Sequence, residues 1–181
     1  MQLNAKRSRQ PAHKSLVAFV VGTVKYALEI GQVREIVTPL PLTLLPHTPS
    51  GLAGVADHRS EVVPIIDLRT RFGVSARSEP TKKAKWILVD IARRGVGLVV
   101  DEVIGVLRIP TGEFRPAPDL GGGEQARGIS SVATYRGDLI FVLDLTRFEQ
   151  LAESFDHRSL PSAGEAAAEH PKGWRHSPEG T

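Results

Sequence analysis

Two stretches of this 181-residue sequence repeat the same pattern at a distance of 77 residues. VADHRSEVVPIIDL, which starts at Val55, and VATYRGDLIFVLDL, which starts at Val132, share five identical positions and five conservative replacements. The repeat aligns Arg59 in the first stretch with Arg136 in the second. A repeat of this length predicts two similar small β subdomains, each with a hairpin, a strand and a closing helical turn.

The rest of the chain also has the pattern of short strands. LVAFVVG ends at Gly22, and TVKYALEI then alternates apolar and polar side chains, so the two segments predict a hairpin. VREIVTPLPLTLLPHTPSG contains four prolines and predicts an irregular crossover. WILVDI, the turn ARRG and VGLVVDEVIGVLRI predict a second hairpin that ends at Pro110. Pro64 has no N–H to donate, so its strand EVVPIIDL is predicted to be an edge strand or to contain a bulge.

Short strands, turn glycines and little helical periodicity favour an all-β fold class, a barrel or a sandwich. The distribution of charge distinguishes the two ends of the chain from the part between them. Residues 1–15 carry four basic and no acidic side chains, and residues 152–181 carry three basic and five acidic ones. Both ends lack an apolar period, which predicts a basic flexible arm over 1–15, one folded domain over 16–151 and a disordered tail over 152–181.

Several classes of function are disfavoured by residues that the sequence lacks. It has no cysteine, so disulfides and thiolate metal sites are excluded. No signal peptide and no apolar run long enough to span a bilayer is visible, which predicts a cytoplasmic protein without membrane insertion. His47 and His58 lie eleven residues apart without an H-x-x-x-H pair, so we predict no metal site. GGGEQARG lacks the lysine of a phosphate-binding loop, so we expect no nucleotide cofactor.

Asp67 and Asp144 are the pair of carboxylates that invites a catalytic interpretation. Each follows an apolar strand and precedes a short helical segment, LRTRFG or LTRFEQLAES. A carboxylate there accepts hydrogen bonds from free backbone N–H groups, a contribution of about 1 kcal/mol. We therefore predict helix caps rather than an acid and base pair, and we predict no catalytic residue.

Nucleic-acid binding is the alternative from another class of function. The basic clusters RSRQ, KKAK and ARR could contact phosphates, and small barrels bind nucleic acids when aromatic residues interleave with the charges. Aromatic residues make up only 6% of this chain, and Trp86 heads an apolar strand, where it is predicted to be a core residue. The alternative therefore depends on the basic N-terminal arm, and we expect no nucleic-acid partner.

Three ordered segments, YALEIGQVREIV, GVADHRSEVVPIIDLRTRFG and GLVVDEVIGVL, resemble the motifs of the CheW-like coupling proteins of bacterial chemotaxis. The resemblance covers about residues 14–151. It implies two five-stranded, SH3-like β-barrel subdomains that share a core, with a few short helices. It also implies a non-catalytic signalling adaptor. Such an adaptor joins the cytoplasmic tips of methyl-accepting chemoreceptors to the regulatory domain of a CheA-type histidine kinase, and it can assemble with other CheW-like proteins in arrays.

The resemblance also implies four partner-binding residues. Glu35 takes the place of the glutamate of V-x-E-I, and Arg59 that of the arginine of N-L-R-G; in the family these two lie near each other and matter for coupling. Val33 and Gly54 match further positions associated with receptor or kinase contact.

The sequence departs from the family pattern at N-L-R-G, which here reads Asp57, His58, Arg59 and Ser60. The loss of the glycine predicts that the turn changes its type or carries strain, because glycine reaches positive φ without steric cost. The added Asp57 is expected to compete with Glu35 for Arg59, and the altered charges to act on partner choice.

Overall fold

The computed structural model describes residues 12–45, 49–75, 82–117 and 128–153. Over these residues the strands are β1 (His13–Val21), β2 (Val24–Glu29), β3 (Val33–Val37), β4 (Leu52–His58), β5 (Glu61–Asp67), β6 (Lys85–Ile91), β7 (Arg94–Val100), β8 (Glu102–Pro110), β9 (Phe114–Pro116), β10 (Ile129–Tyr135) and β11 (Asp138–Leu143). The helical segments of the same residues are α1 (Leu68–Arg71), α2 (Glu149–Glu153) and the 3₁₀ turns η1 (Ile30–Gln32), η2 (Thr111–Glu113) and η3 (Leu145–Phe148).

The described strands form two sheets that match each other. One has six strands in the order β8-β1-β2-β11-β10-β9, and the other has five in the order β3-β6-β7-β5-β4. Each contains one parallel pair, β11 beside β2 and β5 beside β7. The all-β class and the pair of matching subdomains are thus confirmed. The sixth strand is β9, and its counterpart beside β4 is the single bridge between Thr43 and Val55.

The chain crosses between the sheets twice. The hairpin of β1 and β2 belongs to the sheet that β8 to β11 build, whereas β3 to β7 form the other sheet. The crossing back occurs at Asp101, between β7 and β8. The segment VGLVVDEVIGVLRI is therefore two strands in two sheets, and the prediction that it is one arm of a hairpin was wrong in its second half. Periodicity does not reveal this break, because both halves are apolar.

The repeat in the sequence is a repeat in the structure. β4, β5 and α1 correspond to β10, β11 and η3. The N–H of Asp67 donates to the carbonyl of Gly51 at 2.9 Å, and the N–H of Asp144 donates to that of Gly128 at 2.8 Å. The carboxylates accept from backbone N–H groups two residues on, at 2.8 Å and 3.0 Å, so the predicted caps are confirmed.

Pro64 lies in a strand with neighbours on both sides, so the edge-strand prediction was wrong. β5 pairs with β4 along its length, but its pairing with β7 covers only Ile65 to Asp67. The missing N–H therefore breaks no ladder to β7, because that ladder begins one residue later. A register shift in the β4–β5 pair lies elsewhere, between Leu52 and Gly54.

One apolar core joins the two sheets. Tyr26 of β2 stacks on Phe72, which follows α1, with ring centroids 4.6 Å apart. Both belong to a buried cluster that also takes Leu98 from the five-stranded sheet and Phe148 from η3. Each sheet also has a smaller buried cluster of its own. Trp86 belongs to the cluster of the five-stranded sheet and is 1% exposed, so it is a core residue, as predicted.

A nearly buried ion pair also links the subdomains. Arg69 of α1 donates from Nε to both carboxylate oxygens of Asp101, at 3.0 and 3.1 Å. The same carboxylate accepts from the N–H of Gly22, in the turn between β1 and β2, at 2.6 Å. The side chains of Arg69 and Asp101 are only 13% and 15% exposed. Asp101 therefore ties α1 to the N-terminal hairpin at the crossing point of the chain.

The ends of the domain differ slightly from the boundaries set by sequence. β1 begins at His13, three residues before the expected start, and α2 ends at Glu153. Most of the basic arm and of the C-terminal tail, together with His47 and most of GGGEQARG, lie outside the described residues. Within the described part of the chain, no helix is long and apolar enough to cross a membrane.

Replacement of Asp101 by alanine is expected to lower the free energy of unfolding by about 3 kcal/mol, because it removes the only carboxylate recorded, among the described residues, beside the nearly buried Arg69 guanidinium. Urea denaturation measures the change. Glu102→Ala is the matched control, since its ion pair with Lys83 is exposed, and should cost about 0.5 kcal/mol or less. Equal losses in the two variants would contradict the assigned role of Asp101.

Candidate functional site

The predicted residues Glu35 and Arg59 contact each other. Glu35 lies in β3, and Arg59 lies in the turn between β4 and β5, at the opposite end of the strand order. Arg59 Nη2 nevertheless donates to Glu35 Oε1 at 2.8 Å. The five-stranded sheet therefore curls until its two ends meet, and the Arg59 side chain is 74% exposed at that closure.

His58 joins this pair, which the sequence did not predict. Its Nε2 lies 3.2 Å from Glu35 Oε2, and its side chain is only 14% exposed. The one signal for it in the sequence is its position beside Arg59 in a motif where the family pattern has leucine. We call Glu35, His58 and Arg59 the closure cluster.

The turn that carries Arg59 has two non-glycine residues at positive φ, which is the strain that the sequence allowed for. Arg59 and Ser60 have φ values of 54° and 63°, the positive values that a two-residue type I′ hairpin turn requires. Asp57 Oδ1 accepts from the N–H of Ser60 at 2.9 Å. Asp57 therefore supports the turn, and the expected competition with Glu35 for Arg59 does not occur.

A second ionic group lies next to the closure cluster. Arg34, the neighbour of Glu35 in β3, is 3.2 Å from Asp90 Oδ1 and 3.5 Å from Glu61 Oε2. These three residues come from β3, β5 and β6, so the contact exists only in the folded chain. Their side chains are roughly half exposed, so we expect a small contribution to stability.

The other two predicted residues differ in exposure: Val33 is partly buried and lines a groove, whereas Gly54 is buried. Val33 packs against the core that both sheets share. Gly54 is buried, has a φ of 146°, and a Cβ there would lie 2.4 Å from the carbonyl oxygen of Thr43. The glycine therefore lets the segment that contains Leu42 and Thr43 approach β4.

A groove runs beside the closure cluster, between the two subdomains. It is lined by η1, the start of β3, the turn between β6 and β7, and η3. Its charged lining residues are Arg34 and Asp90 of the second ionic group and Glu149 of α2. Among the residues that the structure describes, no three histidine or carboxylate side chains are grouped so that they could hold a metal ion.

The CheW-like domain family matches residues 15–153. The chain belongs to this family. It is 32% identical over 142 residues to the chemotaxis protein CheW of Rhizobium meliloti (strain 1021), which covers 78% of this chain and 91% of that protein. It is 34% identical over 131 residues to the probable chemotaxis protein CheW of Rhizobium etli, with coverage of 71% and 84%.

A solved structure of the family agrees with the fold. The scaffolding protein TtCheW from Thermoanaerobacter tengcongensis is similar with a TM-score of 0.68 at 29% identity, over 74% of this chain and 90% of that chain. The resemblance inferred from the three sequence motifs is thus confirmed. Within the CheW-like fold, the closure cluster joins the β4–β5 turn to β3, and Arg59 is its exposed member.

Ser60→Gly is expected to raise the free energy of unfolding by about 1 kcal/mol, because glycine adopts positive φ without the steric cost that serine carries. The reverse change in the second repeat, Gly137→Ser, should lower it by a similar amount, since Gly137 has a φ of 87°. Thermal and urea denaturation measure both variants. The two changes in the free energy of unfolding should have opposite signs. A destabilised Ser60→Gly variant would show that Ser60 carries no backbone strain.

Gly54→Ala is expected to lower the free energy of unfolding by about 3 kcal/mol, because the new methyl group would collide with the Thr43 carbonyl in a strained backbone. Gly112→Ala is the matched control, since no heavy atom lies within 4 Å of a Cβ built there. Urea denaturation compares the two. A fully stable Gly54→Ala variant would show that this residue has no such structural role.

Proposed function

We propose that this CheW-like protein is a non-catalytic adaptor that couples methyl-accepting chemoreceptors to the regulatory domain of a CheA-type histidine kinase. The single observation that carries the proposal is the ion pair of Glu35 with the exposed Arg59 at the closure of the five-stranded sheet. Family membership supports the class of function, and the names of the relatives supply its chemotaxis setting. The adaptor acts in the cytoplasm and needs no cofactor.

The proposal assigns different roles to the four predicted partner-binding residues. Glu35 and Arg59 offer charge and hydrogen bonds to a partner. Val33, which packs against the core and also lines the groove, offers apolar surface there, and buried Gly54 acts indirectly by letting the segment with Thr43 approach β4. The proposal places these contacts in the domain over 16–151 and assigns no role to the arm over 1–15 or the tail over 152–181.

A small contact surface such as the one around Arg59 is sufficient for an adaptor. A micromolar contact corresponds to about 8 kcal/mol of binding free energy, which a small interface supplies. An adaptor that binds a receptor, a kinase and further CheW-like proteins in an array gains avidity from several such contacts. The alternative, nucleic-acid binding, rests on the basic arm, and the closure cluster adds nothing to it because Glu35 balances Arg59.

Arg59→Ala and Glu35→Ala are expected to weaken binding to the kinase regulatory domain at least about tenfold, which corresponds to 1.4 kcal/mol. Isothermal titration with the regulatory domain and with receptor cytoplasmic tips from the same genome measures this. Arg136→Ala is the matched control, since Arg136 occupies the same turn position in the other repeat, with a φ of 52°, and should bind like the wild type.

Two results would count against the proposal. If the wild-type protein binds neither partner, the adaptor function is wrong. If Arg136→Ala weakens binding as much as Arg59→Ala does, the partner contacts the other subdomain, and the closure cluster is not the site.

A further inference from the structure

We propose that Arg59 recognises a carboxylate group of the partner, and that His58 is a positioning residue that holds Glu35 for this contact. This inference rests on the proposed function and names the chemistry of the same surface. It concerns a residue, His58, at which the chain departs from the family pattern.

Both oxygens of the Glu35 carboxylate are engaged within the chain. Oε1 accepts from Arg59 Nη2 at 2.8 Å, and Oε2 lies 3.2 Å from His58 Nε2. An ionised carboxylate only accepts hydrogen bonds, so the imidazole must donate from Nε2. Glu35 is therefore held on two sides and half-buried, and a basic group of a partner would have to compete with donors that are already in place.

Arg59 is the member of the cluster that can reach a partner. Its side chain is 74% exposed, and among the described residues its one recorded hydrogen bond is the one to Glu35. A guanidinium has five N–H donors in a planar fork, so donors remain beyond the one bonded to Glu35. That geometry matches a carboxylate, which accepts two parallel hydrogen bonds from one arginine.

His58 acts on Arg59 through Glu35. The imidazole is 14% exposed, so it lies too deep to bind the partner itself. A second donor on Glu35 restricts the carboxylate, and a fixed carboxylate in turn restricts the long side chain of Arg59. Ordering before binding lowers the entropic cost of forming the interface. The leucine of the family pattern has no donor and cannot do this.

The charge of Asp57 allows a test of whether the partner group that binds Arg59 is acidic or basic. Asp57 is exposed and lies two residues from Arg59, with Oδ1 occupied by the N–H of Ser60. Its negative charge opposes an acidic partner and favours a basic one. The other nearby acids, Glu61 and Asp90, are paired with Arg34, so Asp57 is the informative one.

The first experiment compares His58→Leu with His58→Gln by titration with the kinase regulatory domain. Leucine has a similar volume but no donor, and glutamine places an amide N–H at a comparable reach. We expect His58→Leu to weaken binding about fivefold, which is roughly one hydrogen bond, and His58→Gln to bind within about twofold of wild type. Equal affinities for His58→Leu and wild type, with both folded, would overturn the positioning role.

The second experiment measures Asp57→Asn. Asparagine keeps the side-chain oxygen that accepts from Ser60, so the turn is retained, and its melting temperature checks this. For a partner carboxylate on Arg59, removal of the negative charge should tighten binding about twofold. Weaker binding by a folded Asp57→Asn variant would mean that the partner group is basic, and the proposal would fail.

The third experiment is a double-mutant cycle with Glu35→Gln and Arg59→Gln. If Glu35 acts through Arg59, Glu35→Gln has no further effect once Arg59 is replaced. If Glu35 binds a basic group of the partner directly, the two losses add, which contradicts the proposal. A wild-type protein that does not bind refutes the proposed function and this inference together, whereas binding that is insensitive to His58 refutes the inference alone.

Discussion

The shared apolar core is the interaction on which the rest of the structure depends. Tyr26 of the six-stranded sheet packs on Phe72, which follows α1 in the other subdomain, inside a buried cluster with members from both subdomains. Because the β1–β2 hairpin completes a sheet built from the C-terminal half, the six-stranded subdomain is discontinuous in sequence, whereas β3 to β7 form the five-stranded sheet from one stretch of chain. The nearly buried contact between Arg69 and Asp101 then links the two subdomains at the crossing point. The closure cluster lies within the five-stranded sheet, between β3 and the β4–β5 turn.

The two subdomains share a scaffold and differ in the chemistry at one end. Arg59 and Arg136 occupy equivalent turns with nearly equal φ. In one subdomain the facing edge strand presents Glu35, opposite Leu88 of β6, and an ion pair forms. In the other, the strand β8 has Gly105 at the matching place in its ladder with β1, and Arg136 lies over the ring of Tyr135. The duplication thus supplied two equivalent turns, but the ion pair with a facing glutamate, on which the proposed adaptor function rests, forms only at Arg59.

Sequence reasoning found the features that are local and missed those that depend on distant packing. The first hairpin and both aspartate caps were predicted because each depends on a few neighbouring residues, and the repeat was predicted because the two stretches can be aligned directly in the sequence. The strand break at Asp101 was missed, since an apolar run does not show which sheet its halves join. The contact of His58 with Glu35 was missed for the same reason: 23 residues separate them. Gly54 was selected for its motif, and only the close approach of Thr43 shows what the glycine does.

The sequence by itself determined the all-β class, the duplication and the turn that places Arg59, because strand periodicity and turn chemistry are short-range properties. It also indicated Glu35 and Arg59 as partners through the family motif. Tertiary structure alone decided that the sheet curls until β3 meets the β4–β5 turn, that His58 takes the second oxygen of Glu35, and that Asp57 supports the turn. These outcomes depend on how two sheets pack around a common core, and that packing is a property of the whole chain rather than of any segment.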